Sequence, residues 1–257
     1  MQITTEGIVI RARPLGDDDR LITILTRDRG VVTAFAGGAR RVKSALCAGT
    51  ELLAHCRFVL FHNREKYTVD RAETETLFFA IRQDIEKLSL ASYLAQLCSE
   101  LITEEDRPDP GFLRLMLNSL YMLEKDKRSV WQIKPLFELR LLSMSGYMPD
   151  LVECRSCGLF EGESMFFLPG SGELICHSCM GEGVPGAIEL PAGVLAAMRH
   201  ILYSDFDKLF HFALPQEGLK LLSFTAERYA LCQLERSFPS LEFFTQVVGM
   251  NAELVNR

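Results

Sequence analysis

Residues 20–36 read RLITILTRDRGVVTAFA, and this stretch decides the fold. The first run, RLITILT, is β-branched and apolar. Asp28-Arg29-Gly30 supplies a turn, and VVTAFA at 31–36 returns, so the segment reads as a β-hairpin. Upstream, Ile8, Ile10 and Ala12 alternate with Val9, Arg11 and Arg13, a half-buried strand of period two whose arginines project from the non-core side. Downstream, GGARRVKS at 37–44 breaks the pattern and reads as a loop. ELLAHCRFVLF at 51–61 is a further strand, 62–65 a turn, and KYTVDRA at 66–72 a fifth strand. Five short strands in about 70 residues predict a small closed or partly open barrel. An OB-fold meets that description, and an SH3-like barrel fits the count almost as well.

The period changes near residue 77. Leu90, Leu94, Leu97 and Leu101 lie on one helical face. RPDP at 107–110 punctuates, with Asp109 as N-cap and Pro110 at the first position of a helix to about Glu124. Ile133, Phe137, Leu141 and Met144 mark another helix, stopped by Gly146 and Pro149; Pro135 falls inside the pattern, so the helix is expected to start there. Residues 194–203 and 218–236 read as two more helices, and the short apolar tail after Pro239 is left unassigned. No internal repeat is present.

The stretch between these helices carries the strongest chemical signal. Cys154-x2-Cys157 and Cys176-x2-Cys179 are separated by 18 residues, within the spacing of four-cysteine zinc sites. A CxxC knuckle presents two thiolates from one tight turn, and tetrahedral zinc takes four of them at about 2.3 Å. Gly158 and Gly181 follow the two pairs, and residues 165–168 and 173–175 form a hairpin that joins them. Four protein thiolates leave no position open for water, which makes the ion structural rather than catalytic. A pair of redox CxxC motifs is the competing reading. His177 lies within the second knuckle but is not needed as a ligand. Cys47, Cys56, Cys98 and Cys232 read as isolated inert thiols.

The fold class expected is therefore α+β and multidomain. It comprises an OB-fold barrel over 1–78, an α-helical domain from 79–149 and 187–240, and a zinc-binding module over 150–186. The 257 residues are 48% hydrophobic and 24% charged, with mean hydropathy +0.09, which excludes a largely disordered or low-complexity chain. No apolar run reaches membrane-spanning length and no secretory signal opens the chain, so a cytoplasmic protein with reduced thiols is expected.

The net charge of −6 argues against a globally basic nucleic-acid binder, but it is unevenly spread. Residues 1–71 hold 12 basic and 8 acidic side chains, a balance of +4; the remainder, with 16 and 26, carries −10. A local anion-binding surface on the barrel fits that asymmetry. Arg40, Arg41 and Lys43 follow Gly37-Gly38-Ala39, a loop whose backbone and cations approach an anion closely. Arg11, Arg13 and Arg57 join them as candidate phosphate contacts. Phe35, Phe58, Phe61 and Tyr67 are stacking candidates, against the alternative of barrel core.

Four groups of motifs stand in order along the chain: Gly7-Ile8-Val9 with Arg13-Pro14; Asp19-Arg20-Leu21 leading to Leu25-Thr26; Gly38-Ala39-Arg40-Arg41-Val42-Lys43-Ser44; and Phe137-Glu138-Leu139-Arg140-Leu141-Leu142 running into Gly146-Tyr147-Met148-Pro149 and Cys154-Arg155-Ser156-Cys157-Gly158. Together they resemble the RecO family of bacterial DNA-repair and recombination-mediator proteins. Their order and spacing carry the resemblance, which covers most of the chain up to residue 180. It implies an OB-fold, a helical domain and a zinc module, and a nucleoid-associated role. It implies binding of single- and double-stranded DNA, annealing of complementary strands, and help in loading RecA onto strands coated by single-stranded-DNA-binding protein. The implied partners are RecR and the acidic C-terminal tail of that coating protein, whose pocket is expected on the helical domain. Arg40, Arg41 and Lys43 inherit a DNA-contact role from the family's basic loop. Gly37 stands where the family often has another basic residue, which weakens the expected grip. Some members lack the cysteines, so the ion is not expected to do chemistry.

No enzyme is expected. A zinc deaminase needs H-x-E before P-C-x-x-C; His62-Asn63-Arg64 fails the first and Ile175 before Cys176 the second. HEXXH and the GxxxxGK[ST] phosphate loop are absent. An RNA-binding or transcription-associated OB plus zinc-ribbon protein is the alternative, with a zinc-dependent hydrolase behind it.

Overall fold

The computed structural model describes residues 1–64, 66–104, 109–162, 164–181 and 183–255, with side chains described to residue 249. The hairpin forms as read: β2 (Asp19–Thr26) and β3 (Val31–Ala36) pair antiparallel from Arg20↔Ala36 to Leu25↔Val31. Thr26 closes the turn. Its backbone N–H and its hydroxyl both donate to the Gly30 carbonyl at 2.8 Å, and the hydroxyl accepts from the Arg29 N–H at 3.1 Å. Gly30 has φ +64, and a Cβ there would collide with the Thr103 carbonyl, so the position requires glycine.

β1 (Gln2–Leu15) pairs with β2 on one side and with β4 (His55–Asn63) on the other, and β5 (Lys66–Thr76) lies between β4 and β3. The order β1-β2-β3-β5-β4 closes into a barrel, with a parallel β3–β5 pairing. The result is an OB-like barrel, which removes the SH3-like alternative. Its interior is filled by Val9, Ile22, Ile24, Val32, Phe58, Leu60 and Val69, and Ala34, Ala36, Ala39 and Ala54 supply the narrow places.

Three strand expectations need correction. Val9, assigned to the polar face, lies in the barrel interior, whereas Ile8 and Ile10 are buried outside it. Both faces of β1 are covered because helix α2 (Ile85–Leu101) packs on its outer side, and a register shift between Val9 and Arg11 resets the alternation. Residues 51–54 are not strand: the buried Leu53 has φ +63, and its N–H donates to Val9 O at 2.8 Å. The fifth strand runs on from 72 to Thr76.

α1 (Phe79–Gln83), α2, α3 (Gly111–Glu124) and α8 (Pro239–Val255) belong with the barrel in one compact unit, Met1–Lys127 plus Phe238–Arg257. Asp84 caps α2 by accepting from the Glu86 and Lys87 N–H groups. α3 starts one position later than read, with Pro110 rather than Asp109 at its N-cap; Asp109 still accepts from the Gly111 N–H at 2.7 Å. Arg107 and Pro108 of the RPDP punctuation, and Glu65 of the 62–65 turn, lie outside the described residues. The unassigned tail is α8, which buries Leu241, Phe244, Val247 and Val248 and packs on α2.

The second unit is Arg128–Ser237. Its central helix, α4 (Val130–Met144), runs straight through Pro135 rather than starting there. It is packed by α6 (Ala192–Tyr203) and α7 (Gln216–Leu234), and this burial outweighs the missing N–H. On α4, Lys134 and Glu138 are 1% and 0% exposed and pair at 2.9 Å, and Lys134 also meets Glu227 of α7 at 2.9 Å. Gly146, at φ +91, ends α4. A small sheet of order β6-β8-β7-β9 follows, from β6 (Asp150–Cys154), β7 (Met165–Leu168), β8 (Glu173–Cys176) and β9 (Ile188–Leu190); β7 and β8 form the expected hairpin. The short α5 (His177–Met180) carries Cys179, the last of the four clustered cysteines.

Candidate nucleic-acid interface and metal centre

The basic loop is anchored rather than free. Ala39 is fully buried in the barrel core. The Gly38 N–H donates to Asp19 Oδ1 at 2.7 Å and the Arg40 N–H to Asp18 O at 2.8 Å. The backbone is therefore held by the acidic turn at 17–19, while Arg40, Arg41 and Lys43 are exposed. Arg40 Nη1 donates to Gly16 O at 3.0 Å, and Arg41 Nε meets Asp18 Oδ2 at 2.9 Å. The Arg41–Asp18 side chains are 67% and 51% exposed, so that pair is weak and readily exchanged for another anion. Lys43 has no ion pair or hydrogen bond among the described residues.

The other three candidate arginines, Arg11, Arg13 and Arg57, do not form one patch. Arg13 and Arg40 line the same hollow of about 470 Å³, together with Arg20, Arg82, Glu51 and Leu52. Arg11 lines a crevice of about 380 Å³ against Ser92, Gln96 and Glu100 of α2. Arg57 lines a third hollow of about 650 Å³ with Thr4, Thr5, Glu6 and Arg27, and is 3.7 Å from Glu75. Arg20 and Arg82 are not among the contacts expected from the sequence. They bracket Glu51: Arg20 Nη2 at 3.8 Å, and Arg82 Nη1 at 2.6 Å, with Arg82 Nη2 also donating to Leu52 O at 2.6 Å. A nonlocal approach of β2, α1 and the 51–54 turn makes this cluster, and no linear spacing signals it. Of the stacking candidates, Phe58 and Tyr67 are core, Phe35 is half-buried, and Phe61 is exposed. Tyr67 stacks on His62, and its hydroxyl donates to Glu104 at 2.5 Å.

In the second unit the four cysteines converge. The ligand atoms of Cys154, Cys157, Cys176 and Cys179 lie within 4.8 Å of one another. Cys157 Sγ and Cys176 Sγ are 3.7 Å apart. Four thiolates about 2.3 Å from a tetrahedral ion stand about 3.8 Å from one another, whereas a disulfide brings sulfurs to about 2.05 Å. The donor set and its spacing thus fit a metal ion, and all four thiols are free. Gly158 at φ +71 and Gly181 at φ +61 turn the chain after each pair. Burial alone would push the Cys154 thiol up, but N–H donors from Cys176, Ser156 and Cys157 outweigh it and hold Cys154 down at about 6. The neighbouring sulfurs push Cys179 up to about 12. His177 is exposed beside Phe166. Cys56 and Cys98 are buried, and burial raises both thiols, Cys56 to about 11. Arg199 of α6 braces the first knuckle through Leu151 O at 2.7 Å and through Val152 O and Phe160 O at 2.9 Å.

Among the described residues, no helix is long and apolar enough to cross a membrane. Two family models match the chain: Recombination protein O N terminal over residues 1–78, and Recombination protein O C terminal over residues 82–242. The chain is 38% identical to the DNA repair protein RecO of Acetivibrio thermocellus over 241 residues, covering 94% of this chain and 95% of that one. It is 34% identical to the DNA repair protein RecO of Alkaliphilus metalliredigens, covering 96% and 100%. A third DNA repair protein RecO, from Symbiobacterium thermophilum, is 34% identical over 93% of this chain and 94% of its own length.

Proposed function

The chain belongs to the recombination protein O family of DNA repair proteins, and from that premise we propose that it is a recombination mediator. It binds single- and double-stranded DNA, anneals complementary strands, and helps load RecA onto DNA coated by single-stranded-DNA-binding protein. The observation that supports this most is the anchored loop that holds Arg40, Arg41 and Lys43 in solvent, with Arg40 reaching the hollow shared with Arg13.

Cations on the barrel neutralise phosphates of two strands and lower their mutual repulsion, while base pairing supplies the sequence match. No base-reading code and no bond-making step is required, so no residue is assigned a catalytic role. Arg11 and Arg57 extend the backbone contacts along other faces of the barrel. RecR and the acidic tail of the coating protein are the partners proposed, the tail for the helical domain. Cys154, Cys157, Cys176 and Cys179 hold zinc, which when bound cross-links β6, the β7–β8 hairpin and α5; its part is structural.

The test is the rate at which the full chain pairs two complementary labelled oligonucleotides across a salt series. A large acceleration in dilute buffer that fades as salt rises is expected. Binding without acceleration would remove annealing, and no binding at the lowest salt would remove the nucleic-acid reading.

A further inference from the structure

A second convergence of metal-ligand side chains lies on the barrel. Glu6 is on β1, His55 opens β4, and Glu75 is near the end of β5. Between β4 and β5 the register passes from His55↔Thr76 to Cys56↔Thr74, which leaves Glu75 as the extra residue of a bulge. Bulges re-aim a side chain, and Glu75 turns toward His55. The imidazole Nε2 is 3.0 Å from Glu6 Oε1 and 3.8 Å from Glu75 Oε2. All three donor atoms lie within 4.8 Å of one another, and His55 is 8% exposed.

Hydrogen bonding does not complete this arrangement. The 3.8 Å from Nε2 to Glu75 is beyond hydrogen-bond range, so no hydrogen bond closes that side. Each carboxylate also has its other oxygen turned to an arginine: Glu6 Oε2 to Arg27 at 3.3 Å and Glu75 Oε1 to Arg57 at 3.7 Å. The arginines orient the carboxylates and leave one oxygen of each facing the imidazole, the outer-shell pattern of a metal site. Nitrogen and oxygen ligands at about 2.0–2.1 Å from a tetrahedral ion stand about 3.3 Å apart, and the two observed separations fall either side of that value.

We propose that Glu6, His55 and Glu75 form a second metal site, which takes one zinc-class divalent cation with water completing its shell. One imidazole with two carboxylates suits a borderline divalent ion. The charge consequence is direct: Glu6 and Glu75 cancel Arg27 and Arg57, so the ion adds two positive charges at the wall of the hollow that Arg57 lines. On the reading of Arg57 as a phosphate contact, occupancy strengthens the grip on DNA.

Cobalt titration of the full chain under reducing conditions, carried past loading of the cysteine site, separates the two sites. Thiolate ligation gives an intense sulfur-to-metal charge-transfer band, which a histidine–carboxylate site lacks. Calorimetry should show a further equivalent bound after that band saturates. Glu75→Gln, a surface change of charge at constant shape, and Glu6→Gln should each weaken the further equivalent at least about tenfold and leave the band intact. A wild-type chain that stops at the thiolate equivalent, or variants that keep the further one unchanged, would overturn the proposal. Filling the further site should also tighten binding of a labelled single strand in the wild type and not in Glu75→Gln. If the further equivalent binds but no DNA is bound in any form, the nucleic-acid reading fails and the metal site stands.

Discussion

The loop at 37–44 and the knuckle at 154–158 use the same device, a glycine-punctuated turn that presents charged side chains, with opposite geometry. In the loop the backbone converges on the barrel and the side chains diverge: Ala39 is fully buried, while Arg40, Arg41 and Lys43 point to solvent. In the knuckle the side chains converge, until sulfurs that repel one another once ionised stand within 4.8 Å. Divergent charges act one by one, each with its own phosphate. Convergent charges act as a set, and losing one member leaves the others uncompensated.

The largest expected effect follows from that contrast. Cys157→Ser should release the ion and destabilise the second unit by about 5 kcal/mol or more, because metal binding and folding of such modules are one equilibrium. Metal analysis and a thermal melt of the full chain check it. A variant that keeps wild-type stability while losing annealing would instead place the ion in the chemistry.

The same unit offers a convergent set without metal. Lys134→Met removes a charged partner of Glu138, a carboxylate with 0% exposure, and should cost about 3–5 kcal/mol. Adding Glu138→Leu should recover most of that, since a paired buried charge is exchanged for apolar volume. Denaturant unfolding of the single and double variants decides it; equal stability of the two would show that the pair is not a coupled set.

The divergent set behaves otherwise. Arg40→Ala, Arg41→Ala and Lys43→Ala together should leave stability within about 0.5 kcal/mol. They should flatten the salt dependence of DNA binding by about three units, roughly one per residue. Binding of a labelled single strand across a salt series measures this, and an unchanged slope would take the loop out of the interface.

Legibility follows the same division. The cysteine set was readable because four ligands of a strong chemical type stand at fixed local spacing. The 20–36 hairpin was readable because apolar alternation and Asp28-Arg29-Gly30 are both local signals. What escaped depends on distant segments. Val9 turns inward because a helix covers the outer side of β1, and Pro135 is tolerated because α6 and α7 bury α4. Arg20 and Arg82 meet only when the chain has folded around Glu51. The tail carried an apolar helical spacing in Phe238, Leu241 and Phe244, but its partner, α2, lies well over a hundred residues earlier. The Glu6–His55–Glu75 cluster needs three strands and a bulge, so no stretch of sequence displays it.

The smallest effect separates the two units by their response to alkali. Tyr229 of α7 packs edge-on against Phe167 of β7, and its hydroxyl donates to Tyr147 O at 3.1 Å. Burial pushes its ionisation up from 10.0 to about 12. The folded-state value is raised, so the stabilisation is complete below pH 10.0, where the unfolded tyrosine is still protonated, and is lost as the pH climbs through about 12. Tyr229→Phe keeps the ring, loses one hydrogen bond at a cost of about 1 kcal/mol near neutrality, and should flatten the alkaline fall in stability. It should not remove that fall entirely, because Tyr67 in the barrel is also raised, by burial first and then by its bond to Glu104. Thermal melts at a series of pH values, for the single variants and for Tyr229→Phe with Tyr67→Phe, apportion the loss between the units. An alkaline fall identical in wild type and Tyr229→Phe would show that the tyrosine ionises freely and that the packing around the β7–β8 hairpin is looser than its contacts imply.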